Sequence, residues 1–195
     1  PRSTRFPSPT RIRSISEPST ATIAELVTIN AATSGTVTLS TETIAANYSD
    51  TAANLAAAFS GITTHTGNLT ISETSTATIA ELVTINAATS GTVTLSTETI
   101  AANYSDTAAN LAAAFDGITT HTGTIGLSDG VAATIAELVT INNATSGTVT
   151  LNSQTNGANY SDTAVNLAAA FSGITTHTGT IAITGTNPTI TQLNN

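Results

Sequence analysis

Three histidines, His65, His121 and His177, recur at a constant spacing of 56 residues, and each is preceded by a Ser-Asp pair: Ser49–Asp50, Ser105–Asp106 and Ser161–Asp162. Serine, histidine and aspartate are the residue types of a hydrolytic triad, in which the imidazole takes the serine proton and the carboxylate orients the imidazole. A side-chain oxygen just ahead of Thr-Ala-Ala-Asn-Leu is also what a helix N-terminus requires, because its first N–H groups have no partner within the helix. Neither a nucleophile elbow nor an oxyanion-hole motif accompanies the pair. Three near-identical copies of a catalytic centre add little, so the pairs are read as caps and the chain as a non-enzyme. The histidine row also suggests zinc. If one period contains two stacked coils, equivalent side chains lie about 9.6 Å apart, whereas zinc ligands each sit about 2.0 to 2.1 Å from the ion. The histidines are therefore expected to be solvated loop residues after Thr-Thr, with no metal and no cofactor.

Other rows share the spacing. Glu25, Glu81 and Glu137 read as a solvated helix face or caps. Asn30, Asn86 and Asn142, and likewise Asn54, Asn110 and Asn166, suit hydrogen bonds to the loop backbone of a neighbouring coil, which satisfy polar groups that burial would leave unpaired. Asn47, Asn103 and Asn159 each precede Tyr-Ser and so form glycosylation sequons. Thr36 with Thr38, Thr92 with Thr94, and Thr148 with Thr150 form Thr-Val-Thr runs whose hydroxyls would project from one sheet face. Thr70, Thr124 and Thr180 are placed on the intervening strands, with Asn68, Gly126 and Ala182 interrupting the grid. Such Thr-x-Thr arrays resemble the ice-binding face of some antifreeze solenoids, and this surface is the alternative functional reading. Thr also simply suits exposed strands.

The rows exist because the chain is a tandem repeat. Residues 21–67 and 77–123 differ only at Ser60 and Asp116, and a third copy diverges at a few positions such as Asn143, Asn152 and Val165. Ile15 begins the match, and TITQL from Thr189 matches TIAEL from Thr134 with one residue deleted. The organisation read from this is a disordered basic tail at 1–14, repeats at 15–70, 71–126 and 127–182, and the incomplete start of a further repeat at 183–195. Within a period, TATIAELVTINAA and SDTAANLAAAF have helical spacing with hydroxyl or carboxylate caps. GTVTLS and GNLTIS alternate as strands. The predicted fold is an α/β repeat solenoid with one short helix and one short strand per coil, two coils per 56-residue period, and a parallel sheet on one face.

Composition agrees with a stack of small parts. Hydrophobic residues make up 39% of the 195, charged residues 8% and aromatic residues 4%, so helices would approach on alanine. Net charge is −8, and the only cationic side chains, Arg2, Arg5, Arg11 and Arg13, lie in the tail. The repeats thus have no cationic surface for phosphates, which argues against nucleic acid as a partner. Cysteine is absent, and no stretch has the apolar length for membrane insertion.

TIAELVTINAAT with GTVTLS, and YSDTAANLAAAF followed by a Thr-rich strand, resemble the Thr/Ala-rich repeats of very large bacterial surface proteins, including giant cyanobacterial cell-surface proteins and haemolysin-type large adhesins. The resemblance runs from about Ile15 to Leu193. It implies secretion, an extracellular or cell-surface location, and an extended body serving as a spacer or stalk in adhesion, surface coating or motility. The partners it implies are neighbouring repeats of the same array, surface glycans and other cells. Asp/Gly-rich nonapeptides are missing, so no calcium role is implied.

Overall fold

The computed structural model describes residues 19–72, 74–128 and 130–185. The expected basic tail, 1–14, and all of the incomplete fourth unit except residues 183–185 lie outside them. The first period contributes α1 (Ile23–Ala31), α2 (Thr41–Ala45), β1 (Tyr48–Asp50), α3 (Ala52–Phe59) and β2 (Leu69–Ile71). The second contributes α4 (Ile79–Ala88), β3 (Val93–Thr94), α5 (Thr97–Ala101), β4 (Tyr104–Asp106), α6 (Ala108–Phe115) and β5 (Ile125–Leu127). The third contributes α7 (Ile135–Ala144), β6 (Val149–Thr150), α8 (Ser153–Gly157), β7 (Tyr160–Thr163), α9 (Ala164–Ala170) and β8 (Ile181–Thr184).

Helix starts follow local side-chain chemistry. Thr-Ile-Ala-Glu forms a capping box at α1, α4 and α7, where the Thr22, Thr78 and Thr134 hydroxyls accept the backbone N–H groups of Glu25, Glu81 and Glu137. The glutamates accept the threonine N–H groups in return, at 2.7–2.8 Å. The α3, α6 and α9 caps are Thr51, Thr107 and Thr163, one or two residues later than the Ser-Asp positions. Asp50 still helps, because its carboxylate accepts Thr51 N–H at 2.7 Å and Asn54 Nδ2 at 2.8 Å. Asn54, Asn110 and Asn166 therefore bond within their own turn, to Asp50, Asp106 and Asp162, and not to a neighbouring coil. Both α3 and α6 stop at Phe followed by Ser-Gly or Asp-Gly, with Gly61 and Gly117 at φ +72° and +71°. A residue without Cβ adopts that left-handed turn at no steric cost.

The six longer helices pack in chain order, α1 on α3, α3 on α4, α4 on α6, α6 on α7 and α7 on α9. Their shared core is continuous through all three periods and includes Leu55, Phe59, Leu82, Ile85, Leu111, Phe115, Leu138 and Ile141. Each such side chain contributes about 1.5 to 3 kcal/mol on leaving water. Buried alanines such as Ala52, Ala58, Ala108 and Ala114 keep the helix axes close.

The strands are parallel and join into small sheets. β1, β2 and β3 pair in order, with Tyr48, Leu69 and Val93 in one row and Ser49, Thr70 and Thr94 in the next. β4, β5 and β6 repeat the arrangement, and β7 pairs with β8. The fold is thus α/β with parallel strands, but a period holds more than two helix–strand pairs. A third helix, formed by Thr-Glu-Thr-Ile-Ala or Ser-Gln-Thr-Asn-Gly, and a third strand, beginning at the tyrosine, were not expected. Five residues are too short to show helical periodicity, and Tyr-Ser-Asp carries no alternating apolar pattern. Residues 37–38 form no strand, although the equivalent Val93–Thr94 and Val149–Thr150 do.

The extra elements hold the entrance of the first long helix of each period, α1, α4 and α7. Ala77 is buried just before α4; its N–H donates to Thr99 Oγ1 at 3.1 Å and its carbonyl accepts Tyr104 Oη–H at 2.8 Å. Thr155 and Tyr160 do the same for Ala133, and Thr43 and Tyr48 for Ala21. A buried backbone that makes no ladder bonds needs such partners.

Close backbone approach sets the remaining glycine requirement. A Cβ at Gly123 would collide with the carbonyl of Ala102, and one at Gly147 with the carbonyl of Gly123. Gly157, the last residue of α8, faces open space. Gly123→Ala is expected to destabilise by roughly 1 to 3 kcal/mol, while Gly157→Ala gains about 0.4 to 1 kcal/mol from the lower entropy of the unfolded chain. Chemical denaturation of the two variants beside the parent checks both signs.

Candidate functional site

His65 and His121 are buried, not solvated, and His177 is half-buried. His65 and His121 are each 1% exposed and stack against a tyrosine and a phenylalanine of their own period. Ring centroids lie 5.7 Å from His65 to Tyr48 and 4.8 Å to Phe59, and 5.5 Å from His121 to Tyr104 and 4.9 Å to Phe115. Hydrogen bonds from His65 N–H to Ala88 O and from Ser90 N–H to His65 O tie the histidine backbone to the segment after the next long helix. The ring is thereby turned into the core. His65 Nδ1 lies 3.2 Å from Thr89 Oγ1, whose hydroxyl donates to Gly67 O at 2.7 Å. His121 Nε2 lies 2.9 Å from Ala102 O. Burial is the main influence on both imidazoles and lowers their proton affinity, opposed by backbone hydrogen bonds.

The triad residues do not meet. Ser49 is exposed on β1, Asp50 is bound to the α3 N-terminus, and the ring nitrogens of His65 face Thr89 and the backbone. Among the described residues, no three His, Cys, Asp or Glu side chains are grouped as metal ligands.

The first asparagine row does what its spacing predicts. Asn30 Nδ2 donates to Ala57 O at 3.0 Å and Ser60 O at 2.9 Å, at the C-terminal end of the next helix. Asn86 repeats this on Ala113 and Asp116, and Asn142 on Ala169 and Ser172. The side chain satisfies carbonyls that a helix end leaves without partners. Beside it lies a groove of about 480 Å³ between α1 and α3, with an equivalent groove of about 480 Å³ between α7 and α9. The sequon asparagines serve the backbone too. Asn47 Oδ1 accepts Asn68 N–H at 2.8 Å, and Asn68 Oδ1 accepts Thr92 N–H at 2.9 Å. Asn68 therefore continues a ladder.

Thr36, Thr38, Thr92, Thr94, Thr148 and Thr150 are all exposed. Thr94 stands in register with Thr70 and Ser49, and Thr150 with Gly126 and Ser105. Thr124 and Thr180 come one residue before β5 and β8, so they do not extend these rows. Thr36 and Thr38 belong to no strand. Hydroxyl rows are therefore confined to separate sheets. No protein family matches the chain, and neither does any curated protein or solved structure.

The imidazoles of His65 and His121 give a pH signature. Their folded-state pKa is lowered, so the unfolded chain binds more protons once pH falls below about 6.5, the ordinary histidine value. Their stabilising contribution is complete above that pH and is lost as pH falls toward the lowered folded value. Carboxylates begin to contribute losses only near pH 4. Urea midpoints at pH 7.5 and pH 5.5 should show lower stability at the acid value, and His121→Phe should shrink the difference.

Proposed function

We propose that the chain is a non-catalytic structural and adhesive repeat segment, a spacer or stalk, of a large secreted protein displayed at the cell surface. The observation that carries this reading is the unbroken packing order of the six longer helices, with their core running through all three periods. On this reading the three periods are coils of one α/β solenoid. Its repeated polar side chains bind neighbouring backbone and do not converge on a pocket, as with Asn30, Asn86 and Asn142. The partners are adjacent repeats, with surface glycans or other cells along the flanks. Support for an extended role comes from charge as well, because residues 14–195 carry no Lys or Arg and repel like-charged surfaces. No helix among the described residues is long and apolar enough to cross a membrane.

Proteins carrying two, three and six periods test the spacer reading. Small-angle scattering should give a maximum dimension that rises in proportion to period number; a dimension growing only as a flexible chain of beads would overturn it. The six exposed threonines of the Thr-Val-Thr runs favour ice binding as a second reading. It requires thermal hysteresis that falls when Thr94 and Thr150 are replaced by lysine, and a parent without hysteresis removes it.

A further inference from the structure

Five Asn-x-Ser/Thr triplets lie among the described residues: those starting at Asn47, Asn103 and Asn159, all Asn-Tyr-Ser, and those starting at Asn68 and Asn143. The triplet is the acceptor pattern for N-linked sugars. Asn103 belongs to the middle period, so described residues flank it on both sides. Its Oδ1 accepts the Thr124 N–H at 2.9 Å, which holds the planar amide with Nδ2 turned away from the ladder. Neither Nδ2 nor the Ser105 hydroxyl has a hydrogen-bond partner among the described residues. Asn103 and Ser105 are exposed, while Tyr104 between them is buried. Successive residues of an extended backbone point to opposite faces, so the amide and the hydroxyl stand on the same outer face. β4 is the outer strand of its sheet, and the residue beside Ser105 is Gly126, which adds no side chain. The other periods repeat the arrangement. Asn47 and Asn159 accept the N–H groups of Asn68 and Thr180 at 2.8 Å, and both asparagines are exposed, as are Ser49 and Ser161.

The other two triplets are placed differently. Asn68 stands just before the central strand β2, with its N–H bonded to Asn47 and its Oδ1 to the Thr92 N–H. Thr70, its third residue, is half-buried between Ser49 and Thr94. Asn143 lies within α7, and the Thr145 hydroxyl is committed elsewhere, donating to Gly123 O at 2.7 Å and accepting the Gly147 N–H at 2.9 Å.

We propose that Asn47, Asn103 and Asn159 are N-linked glycosylation sites of the folded chain, and that Asn68 and Asn143 are not. Nδ2 forms a bond to the anomeric carbon of a sugar activated as a pyrophosphate ester. The bond from that carbon to the donor's phosphate oxygen breaks, the pyrophosphate leaves with the electron pair, and Nδ2 gives up one proton. The donor's other half is a nucleotide or a lipid, and the chemistry at the amide is the same for both. Linkage through nitrogen lets Oδ1 keep its ladder bond, so the sugar is added without loss of the fold. Sugars one period apart on the outer strands obstruct pairing of those edges with another chain. They also add bulk and hydration to a surface on a chain with only 8% charged residues. The sites are set by local geometry and stand apart from the stalk reading.

Glycopeptide mass spectrometry of the whole chain, isolated from the cells that make it, tests the assignment. Cleavage after glutamate keeps Ser60 with Asn47 and Asp116 with Asn103, so the two near-identical copies are told apart. Sugar should be present at Asn47, Asn103 and Asn159 and missing from Asn68 and Asn143. Ser105→Ala removes the hydroxyl but keeps the Asn103 ladder bond; it should abolish the sugar at Asn103 and leave those at Asn47 and Asn159 in place. Ser105→Thr should retain all three. Sugars added singly identify a nucleotide donor, and one preassembled block identical at every site identifies a lipid donor. Three unmodified sites, or equal occupancy of Asn68 and Asn143, overturn the proposal. An unmodified chain recovered at the cell surface removes the sugars and leaves the stalk reading in place. A modified chain confined to the cytoplasm removes that reading and keeps the sites.

Discussion

Helices and strands stack at different spacings, and the fold depends on how that conflict is resolved. Neighbouring strands sit about 4.8 Å apart, whereas helix axes need about 8 to 10 Å. Advancing two helices covers roughly 16 to 20 Å, while two strand steps cover only about 10 Å. The chain meets the difference by ending its sheet after three strands, running through α5, and beginning another sheet at β4. The helix row passes the same point without a break, from α4 to α6. Alanine keeps the helical step at the short end of its range, and the short third helix gives the strand layer extra travel.

Very short strands leave many backbone groups without ladder partners, which explains the polar composition. Small hydroxyl and amide side chains replace the missing ladder: Thr99 and Tyr104 on Ala77, Thr89 on Gly67, Asn47 on Asn68, and Asn86 on the end of α6. Threonine and asparagine reach the adjacent turn with little side-chain entropy lost. Their abundance thus has a structural cause independent of any ligand. The same holds for tyrosine, whose ring packs against Phe and His while its hydroxyl takes a backbone carbonyl.

Features encoded within a few residues were legible in the sequence. A hydroxyl cap at the start of TIAEL follows from the helical spacing, and Thr22 supplies it, with Glu25 completing a capping box. The role of Asn30 was legible for another reason: a polar side chain at a fixed place in every period finds the same backbone each time. What escaped depended on contacts about 22 to 27 residues away, such as Thr99 with Ala77 and Tyr104 with Ala77. His65 was misjudged because its neighbours Thr63, Thr64 and Thr66 are exposed while its backbone bridge to Thr89 comes from another turn. The partner of Asn54 is local: Asp50, at the end of β1 just before the α3 cap, takes its amide before any neighbouring turn can.

The near-identity of residues 21–67 and 77–123 acquires a further meaning beside the packing of α3 on α4 and of α6 on α7. In both junctions an AANLAAAF helix packs on a helix beginning IAELVTIN, so a whole period can be gained or lost while the same helix pair is remade. Unequal recombination between such copies changes chain length in fixed increments while folding competence is inherited intact. Length becomes a trait that evolves separately from sequence.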